Sequence, residues 1–320
     1  PVWLKKVEKP FFLAGMEEDS ELSGAFERRY PSELLRRDLH FMKERLEKTH
    51  PQLYLYTSRQ RFETLFQEAW ESIGSEMRED AFFRLLAPVV SQVHCSHTGI
   101  RFSQTFEQAL NEKASLLPAD IYFSDGKAYM LEDYSQNPEM EKGMQVLSIN
   151  GVPVSEIWHR LLSCIPSDGL NPSAQIYEIN SQFPFVYSRY IGHSSSFKLE
   201  CINASATRVG IVLQGVTAMD LIRSMKHRHP ERFQQRALPL DFRMERDAGT
   251  AVLTIHEFMA RDLEQYNTFL KNVFLSMHQA GIEHLIIDVR GNSGGHPFFA
   301  AELLSYLSGR SFTYFELPVD

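Results

Sequence analysis

The sequence predicts a mixed α/β protein built of several parts, and three observations predict it. Between residues 32 and 90 apolar residues recur at helical spacing in three successive runs. Between 120 and 213 the pattern changes to alternation, punctuated by Asp125-Gly126 and Asn150-Gly151, pairs that favour tight hairpin turns. From 251 to 289 a strand-like run, the most regular helical stripe in the chain and a second strand-like run succeed one another, the order of a βαβ unit. At 320 residues the chain has room for two or three domains.

Taken in order, residues 1 to 31 hold no sustained period and read as an irregular arm. Leu35, Leu39, Met42 and Leu46 form a helical face that ends at Thr49-His50-Pro51, because the residue before proline is pushed out of the helical region. Phe62, Leu65, Phe66, Ala69, Trp70 and Ile73 stripe a second helix ending at Gly74. Asp80 is expected to cap a third, carrying Phe82, Phe83, Leu86, Val89 and Val90 inward, with Pro88 kinking or shortening it. The end of the stretch from Ser91 to Phe102 reads as a strand. Runs 120 to 123 and 127 to 131 form a hairpin, and Gly143 to Val154 forms a second strand-turn unit leading into a helix capped by Ser155. Residues 166 to 196 show no clear period. Phe197, Leu199 and Cys201 alternate, as do Val209, Ile211 and Leu213, so a further hairpin is expected. Thr217 and Asp220 make a capping box for a helix through Leu221 and Ile222. Leu240, Phe242 and Met244 then alternate before Asp247-Ala248-Gly249 turns the chain into the strand 251 to 255. Tyr266, Phe269, Leu270, Val273, Phe274 and Met277 stripe the crossover helix up to Gly281, and 285 to 289 returns as a parallel strand expected to be buried on both faces. A helix starts at Pro297 and runs through Phe298, Leu303 and Leu307 to Gly309, and Phe312, Tyr314 and Phe315 begin another strand.

With 43% hydrophobic and 23% charged residues the composition is that of an ordinary globular protein. A net charge of -8 with no offsetting basic block argues against a nucleic-acid partner, and no apolar run reaches membrane-spanning length. Cys95, Cys164 and Cys201 are too scattered for a disulfide framework. His94 and Cys95 near His97 hold metal-binding residue types, but no acidic partner lies close in sequence, so neither metal nor cofactor is expected.

The chemistry concentrates at Asp288-Val289-Arg290-Gly291-Asn292-Ser293-Gly294-Gly295, a glycine turn between a strand and a helix. In α/β sheets that junction collects ligands, and its free N–H groups suit an oxyanion. Gly291 to Gly295 also matches G-x-S-x-G, which makes Ser293 a candidate nucleophile elbow. An elbow requires an acid and a histidine well downstream, where only His296 and a short tail remain, so Ser293 is read as a turn residue. No phosphate-binding spacing is present.

Three stretches together resemble the C-terminal-processing (tail-specific) and tricorn-like serine peptidases. The octapeptide from Asp288 to Gly295 is similar to their Asp-x-Arg-Gly-Asn-x-Gly-Gly, the run Thr49 to Tyr54 with Leu86 to Val90 and His97-Thr98 resembles their N-terminal part, and Gly143 to Gly151 looks like their PDZ-like module. The resemblance implies three parts: an N-terminal helical region at 1–103 ending in a base-bearing strand, a PDZ-like domain at 104–216, and an α/β peptidase core at 217–320, incomplete at its end. It implies that His97 is the general base with Ser96 as its hydrogen-bonding neighbour, and that Gly294 and Gly295 supply oxyanion N–H groups. An imidazole suits that role, since it can accept the serine proton and return it to the leaving amine. The fold would then have to bring His97 within roughly 12 Å of the Gly294 or Gly295 nitrogen.

The same resemblance puts the nucleophilic serine, and a glutamate or lysine partner, beyond Asp320, so the 320 residues by themselves are expected to be inactive. It implies serine endopeptidase activity on peptide or unfolded-protein substrates and an extracytoplasmic location. The alternative is a non-catalytic relative that binds a peptide or ligand on the same scaffold.

Overall fold

In a computed structural model, the described residues are 24–233, 239–259, 263–292 and 294–314. They fall into two compact units, 1–230 and 231–320. The class is the expected mixed α/β.

The first unit opens with strand β1 (Arg29–Pro31), helix α1 (Ser32–Thr49), helix α2 (Arg59–Ser72), strand β2 (Glu76–Arg78) and helix α3 (Glu79–Ser91). β1 and β2 pair antiparallel and clip the start of α1 to the end of α2. Leu35, Leu39 and Met42 of α1 meet Phe62, Phe66 and Ala69 of α2 and Phe82, Leu86 and Val90 of α3 in one core, which is the predicted set of faces. The helix α3 is apolar nearly all round because it is buried on two sides: Phe82 faces that core, whereas Phe83 and Ala87 enter a second one with Phe102, Phe106 and Leu221. Asp80 does not cap it. Its carboxylate is buried and pairs with Arg78 and Arg84, both 3.0 Å away, which satisfies the charge inside the fold. The helix also runs past Pro88 to Ser91 instead of stopping there.

The strand expected before Phe102 does not form. Residues 92–103 are turn and irregular backbone, because Phe102 is held by stacking on Phe83 and Phe106 at 4.1 and 4.5 Å and not by a partner strand. Helix α4 (Gln104–Lys113) comes next, with Ser103 Oγ capping Phe106 N–H. The chain continues through β3 (Ser115–Leu116), β4 (Ala119–Ser124), β5 (Lys127–Asp133), β6 (Gln145–Ile149), β7 (Val152–Pro153) and α5 (Val154–Cys164). Both hairpin turns form as expected: Asp125 and Gly126 have φ of 50° and 73°, and Asn150 and Gly151 have 51° and 80°, the two successive left-handed residues such turns need. Ser155 is not the cap of α5; Pro153 stands at that position.

The stretch without a period contains helices α6 (Ser173–Ser181) and α7 (Phe183–Tyr190). Beyond it lie β8 (Ser196–Ile202), β9 (Arg208–Gln214), β10 (Val216–Thr217) and α8 (Ala218–Arg228), which Thr217 caps through Asp220 N–H. β4, β5, β6, β8 and β9 form one antiparallel sheet in that order, with β7 paired to β6. Its inner face packs Ile121, Val146, Ile149, Phe197 and Leu199 on Ile157, Leu161, Ile179 and Phe183 from the helices.

The second unit holds β11 (Leu240–Glu245), β12 (Thr250–Ile255), α9 (Leu263–Gln279), β13 (His284–Asp288) and α10 (Pro297–Leu307). β12 pairs antiparallel to β11 and parallel to β13, so the predicted βαβ unit is present. Burial of β13 on both faces is not observed: it is the outer strand of the three, and Ile286 is 53% exposed. Phe312 and Tyr314 belong to no strand, and Phe315 lies outside the described residues. Among the described residues no helix is long and apolar enough to cross a membrane.

Candidate functional site

The turn after α3 gathers the predicted base. His94 takes a left-handed φ of 54°, unusual for a side chain without local compensation, and turns the backbone away from the helix axis. Two hydrogen bonds hold the turn: Thr98 N–H donates to Cys95 O at 3.0 Å, and Gly169 N–H donates to His94 O at 3.0 Å. The second bond brings in residues 168 and 169 from the connection after α5. Asp168 thereby reaches the turn. Its Oδ1 accepts from Ser96 N–H at 2.8 Å and its Oδ2 from Ser96 Oγ–H at 2.8 Å.

Ser96 Oγ lies 3.4 Å from His97 Nδ1, so a line of polar atoms runs from the Asp168 carboxylate through the hydroxyl to the imidazole. With the hydroxyl proton directed to Asp168, Ser96 Oγ can accept a proton from Nδ1–H, which leaves Nε2 as the basic nitrogen. The Ser96 N–H and then its hydroxyl hold the Asp168 carboxyl below the usual carboxylate range, against a small opposing effect of burial and with help from His97. Asp168 therefore stays ionised at neutral pH and fixes the hydroxyl as its donor. The expected Ser96 and His97 pair is thus joined by a carboxylate that no sequence pattern singles out.

His97 and Asp168 sit on the wall of a pocket of about 1290 Å³. The end of α1, the 50–56 loop, α3 and the 93–101 turn line it, with Met42, Leu46, Leu55, Val90, Val93 and Ile100 supplying apolar surface and His97, Asp168 and Arg101 polar surface. Two more imidazoles border it. His50 accepts from Gln52 N–H at Nδ1, 3.3 Å, and burial lowers its pKa. His94 has its Nδ1 buried without a partner among the described residues.

The glycine turn belongs to the second unit. The Asp288 carboxylate grips the Arg290 guanidinium with two bonds of 2.9 and 2.7 Å and accepts from Arg290 N–H, which holds Asp288 far below the ordinary carboxylate range and curls the chain. Asn292 Nδ2 donates to Ile255 O at 2.9 Å, and its Oδ1 accepts from Gly294 N–H at 2.6 Å. The Gly294 donor is therefore engaged. Gly295 has no such partner among the described residues, and its φ of 138° carries it alongside Phe258, whose N–H donates to Gly294 O and whose carbonyl accepts from His296 N–H. A Cβ at 295 would lie 2.2 Å from Phe258 O, so the approach requires glycine. Ser293 lies outside the described residues.

One histidine near this turn had no sequence signal. His256 closes β12 with Nε2 2.6 Å from Asp241 Oδ2 on β11, and β12 is the strand whose Ile255 carbonyl Asn292 grips. Alternation alone does not show it, because Asp241 and His256 come together only through the β11–β12 register.

No protein-family model matches the sequence, and no curated protein matches it by sequence. Solved structures do. Mature CPAF aligns with a TM-score of 0.53 over 86% of this chain at 16% identity, and mature CPAF complexed with lactacystin gives the same TM-score and identity. A serine-to-alanine mutant of CPAF gives 0.52 at 15% identity over 86% of the chain. This chain spans about three fifths of their length, 58 to 59%. At this identity the likeness shows a shared fold and nothing finer.

Proposed function

We propose that the chain is part of a serine endopeptidase acting on peptide or unfolded-protein substrates, with His97 as general base, Ser96 and Asp168 as the groups that position it, and Gly295 N–H as an oxyanion donor. The observation that carries the reading is the line of Asp168 carboxylate, Ser96 hydroxyl and His97 imidazole, whose two ends border a pocket large enough for several substrate side chains. The fold shared with CPAF supports it.

On this reading a serine hydroxyl attacks the scissile carbonyl while His97 Nε2 takes its proton. The imidazolium then gives that proton to the leaving amine. Charge on Asp168, relayed through the Ser96 hydroxyl, favours the imidazolium as it forms. The carbonyl oxygen gains its negative charge in the same step, and stabilising it is the part we assign to a backbone N–H of the glycine turn, a kind of donor that contributes on the order of 3 kcal/mol. Gly295 rather than Gly294 fits that part, because the Gly294 N–H is already bound to Asn292. The apolar lining from Met42 to Ile100 favours substrates with bulky apolar side chains. Residues 104–216, which hold the antiparallel sheet of β4, β5, β6, β8 and β9 with α5, α6 and α7, are the part we assign to a PDZ-like, peptide-holding role, and the extracytoplasmic location belongs to the same proposal.

Hydrolysis of unfolded casein by the protein at its natural length tests the reading. His97→Ala should lower kcat/KM by about 10³-fold or more, and Asp168→Asn by a smaller factor with KM little changed. Full activity in His97→Ala, or loss of activity in His256→Ala alone, would move the base to the His256–Asp241 pair. The pocket's apolar lining also favours a second reading, a non-catalytic carrier of an apolar ligand. Saturable binding of an apolar fluorescent probe, abolished by Leu46→Trp, without any casein hydrolysis would support it.

A further inference from the structure

The turn at 94–98 brings together more than a base and its neighbours. The Cys95 thiol sulfur, a His97 ring nitrogen and an Asp168 carboxylate oxygen all lie within 4.8 Å of one another. An ion equidistant from three atoms at that limit would be about 2.8 Å from each, so contraction of roughly 0.5–0.8 Å per ligand reaches zinc distances of about 2.0–2.3 Å. Side-chain rotation on the exposed His97 and Asp168 supplies that movement.

We propose that Cys95, His97 and Asp168 form an open zinc site. Sulfur, imidazole nitrogen and one carboxylate oxygen are the donor types of a borderline-soft ion with tetrahedral preference, and they disfavour magnesium or calcium, which take oxygen ligands. The groups behind the ligands are already in place. Asp168 accepts from Ser96 N–H and Oγ–H at 2.8 Å each, and Ser96 Oγ stands 3.4 Å from His97 Nδ1, so the carboxylate and the imidazole are both oriented by one hydroxyl. The turn that holds Cys95 is itself closed by Thr98 N–H and by the Gly169 bond to His94. The three ligands border the large pocket, which leaves the fourth position open to water or to a donor from a bound molecule.

Zinc on the His97 imidazole takes up the group that the proposed base uses, so a bound ion inhibits. That consequence rests on the peptidase reading; the binding itself does not. Binding displaces the Cys95 thiol proton to solvent as the thiolate–metal bond forms, so affinity should rise with pH.

The test is titration of the 320-residue chain with Co²⁺ and with Zn²⁺ against a chromophoric chelator. One ion per chain and a thiolate-to-cobalt charge-transfer band are expected. Cys95→Ser should remove the band, and Cys95→Ser and Asp168→Asn should each weaken Zn²⁺ binding by about tenfold or more. A band that persists in Cys95→Ser, or affinity unmoved by both substitutions, would overturn the site; circular dichroism of each variant excludes unfolding as the cause. In casein hydrolysis by the natural-length protein, wild type should be inhibited by Zn²⁺ and released by chelator, and Cys95→Ser should resist. Metal binding without a peptidase leaves the site standing and removes only its regulatory role.

Discussion

Gly295→Ala should destabilise the second unit about twice as much as Gly294→Ala, although the two glycines are neighbours in one turn. Both have positive φ, 138° and 94°, and each substitution therefore carries backbone strain of about 1–3 kcal/mol. Gly294 has nothing within 4 Å of an added Cβ, so strain is its whole cost. At Gly295 the Cβ would meet Phe258 O at 2.2 Å and Phe258 C at 2.5 Å, well inside the roughly 3.5 Å at which non-bonded heavy atoms rest. Relief requires the two segments to part by about 1 Å, which breaks the bonds from Phe258 N–H to Gly294 O and from His296 N–H to Phe258 O, 2.7 and 2.8 Å. At about 0.5–1.5 kcal/mol each, their loss brings the total to roughly 2–6 kcal/mol, about twice the cost of Gly294→Ala. Trp70 and Trp158, the tryptophans among the described residues, both lie in the first unit, so their fluorescence does not follow the second. Hydrogen exchange of the β12 and β13 amides in increasing urea is the assay. Equal protection loss in the two variants, or greater loss in Gly294→Ala, would refute the assigned path of the turn.

Gly215→Ala should cost about 2 kcal/mol or more, because its Cβ would lie 2.4 Å from Ser194 O and 2.7 Å from Ser115 Cβ; urea denaturation monitored by fluorescence measures it. Glu79→Ala should lose about 2–3 kcal/mol in the same assay, since the buried carboxylate accepts from Ser103 N–H and Oγ–H at the start of α4 and its removal leaves both donors unpaired. Burial pushes the Tyr187 and Tyr266 phenols up to about 12 from 10.0. Their contribution is complete below pH 10 and is lost as pH climbs toward 12, about 2–3 kcal/mol for each, because only the unfolded chain ionises there. Ultraviolet titration should show these two tyrosines ionising together with unfolding, and Tyr187→Phe should move the alkaline midpoint of the first unit upward.

Much of the architecture is legible in the sequence because local chemistry and tertiary context agree. The stripes of α1, α2 and α9, the Asp125-Gly126 and Asn150-Gly151 turns and the β12–α9–β13 order are all present as expected. α6 and α7 are not legible, because their aromatic residues enter a core shared with the sheet on several sides and leave no single stripe; Asn180 even bonds both backbone groups of Phe123. Ile100 and Phe102 imitate strand alternation while serving as plugs between helices. At the site, His97 and Ser96 stand out by resemblance. Asp168 does not, because its place beside them depends on a contact across 72 residues. The same contact supplies the acidic ligand whose absence nearby in sequence argues against a metal.

The Asn150-Gly151 turn bears on how the protein ages. Asn-Gly is the dipeptide most prone to deamidation, in which the glycine nitrogen attacks the asparagine side-chain carbonyl carbon and expels ammonia. Here that carbonyl oxygen accepts from Lys198 N–H at 2.8 Å, while Asn150 N–H donates to Lys198 O at 2.7 Å, so β8 clamps the side chain and backbone of Asn150 together. Ring closure needs the amide to swing away from β8, and the left-handed φ of 51° further limits the geometries that reach it. Chemical damage at this position is thereby tied to opening of the β6–β8 pairing. A mass gain of one unit on the peptide containing Asn150 becomes a slow clock of that opening, readable in stored samples without any added reagent.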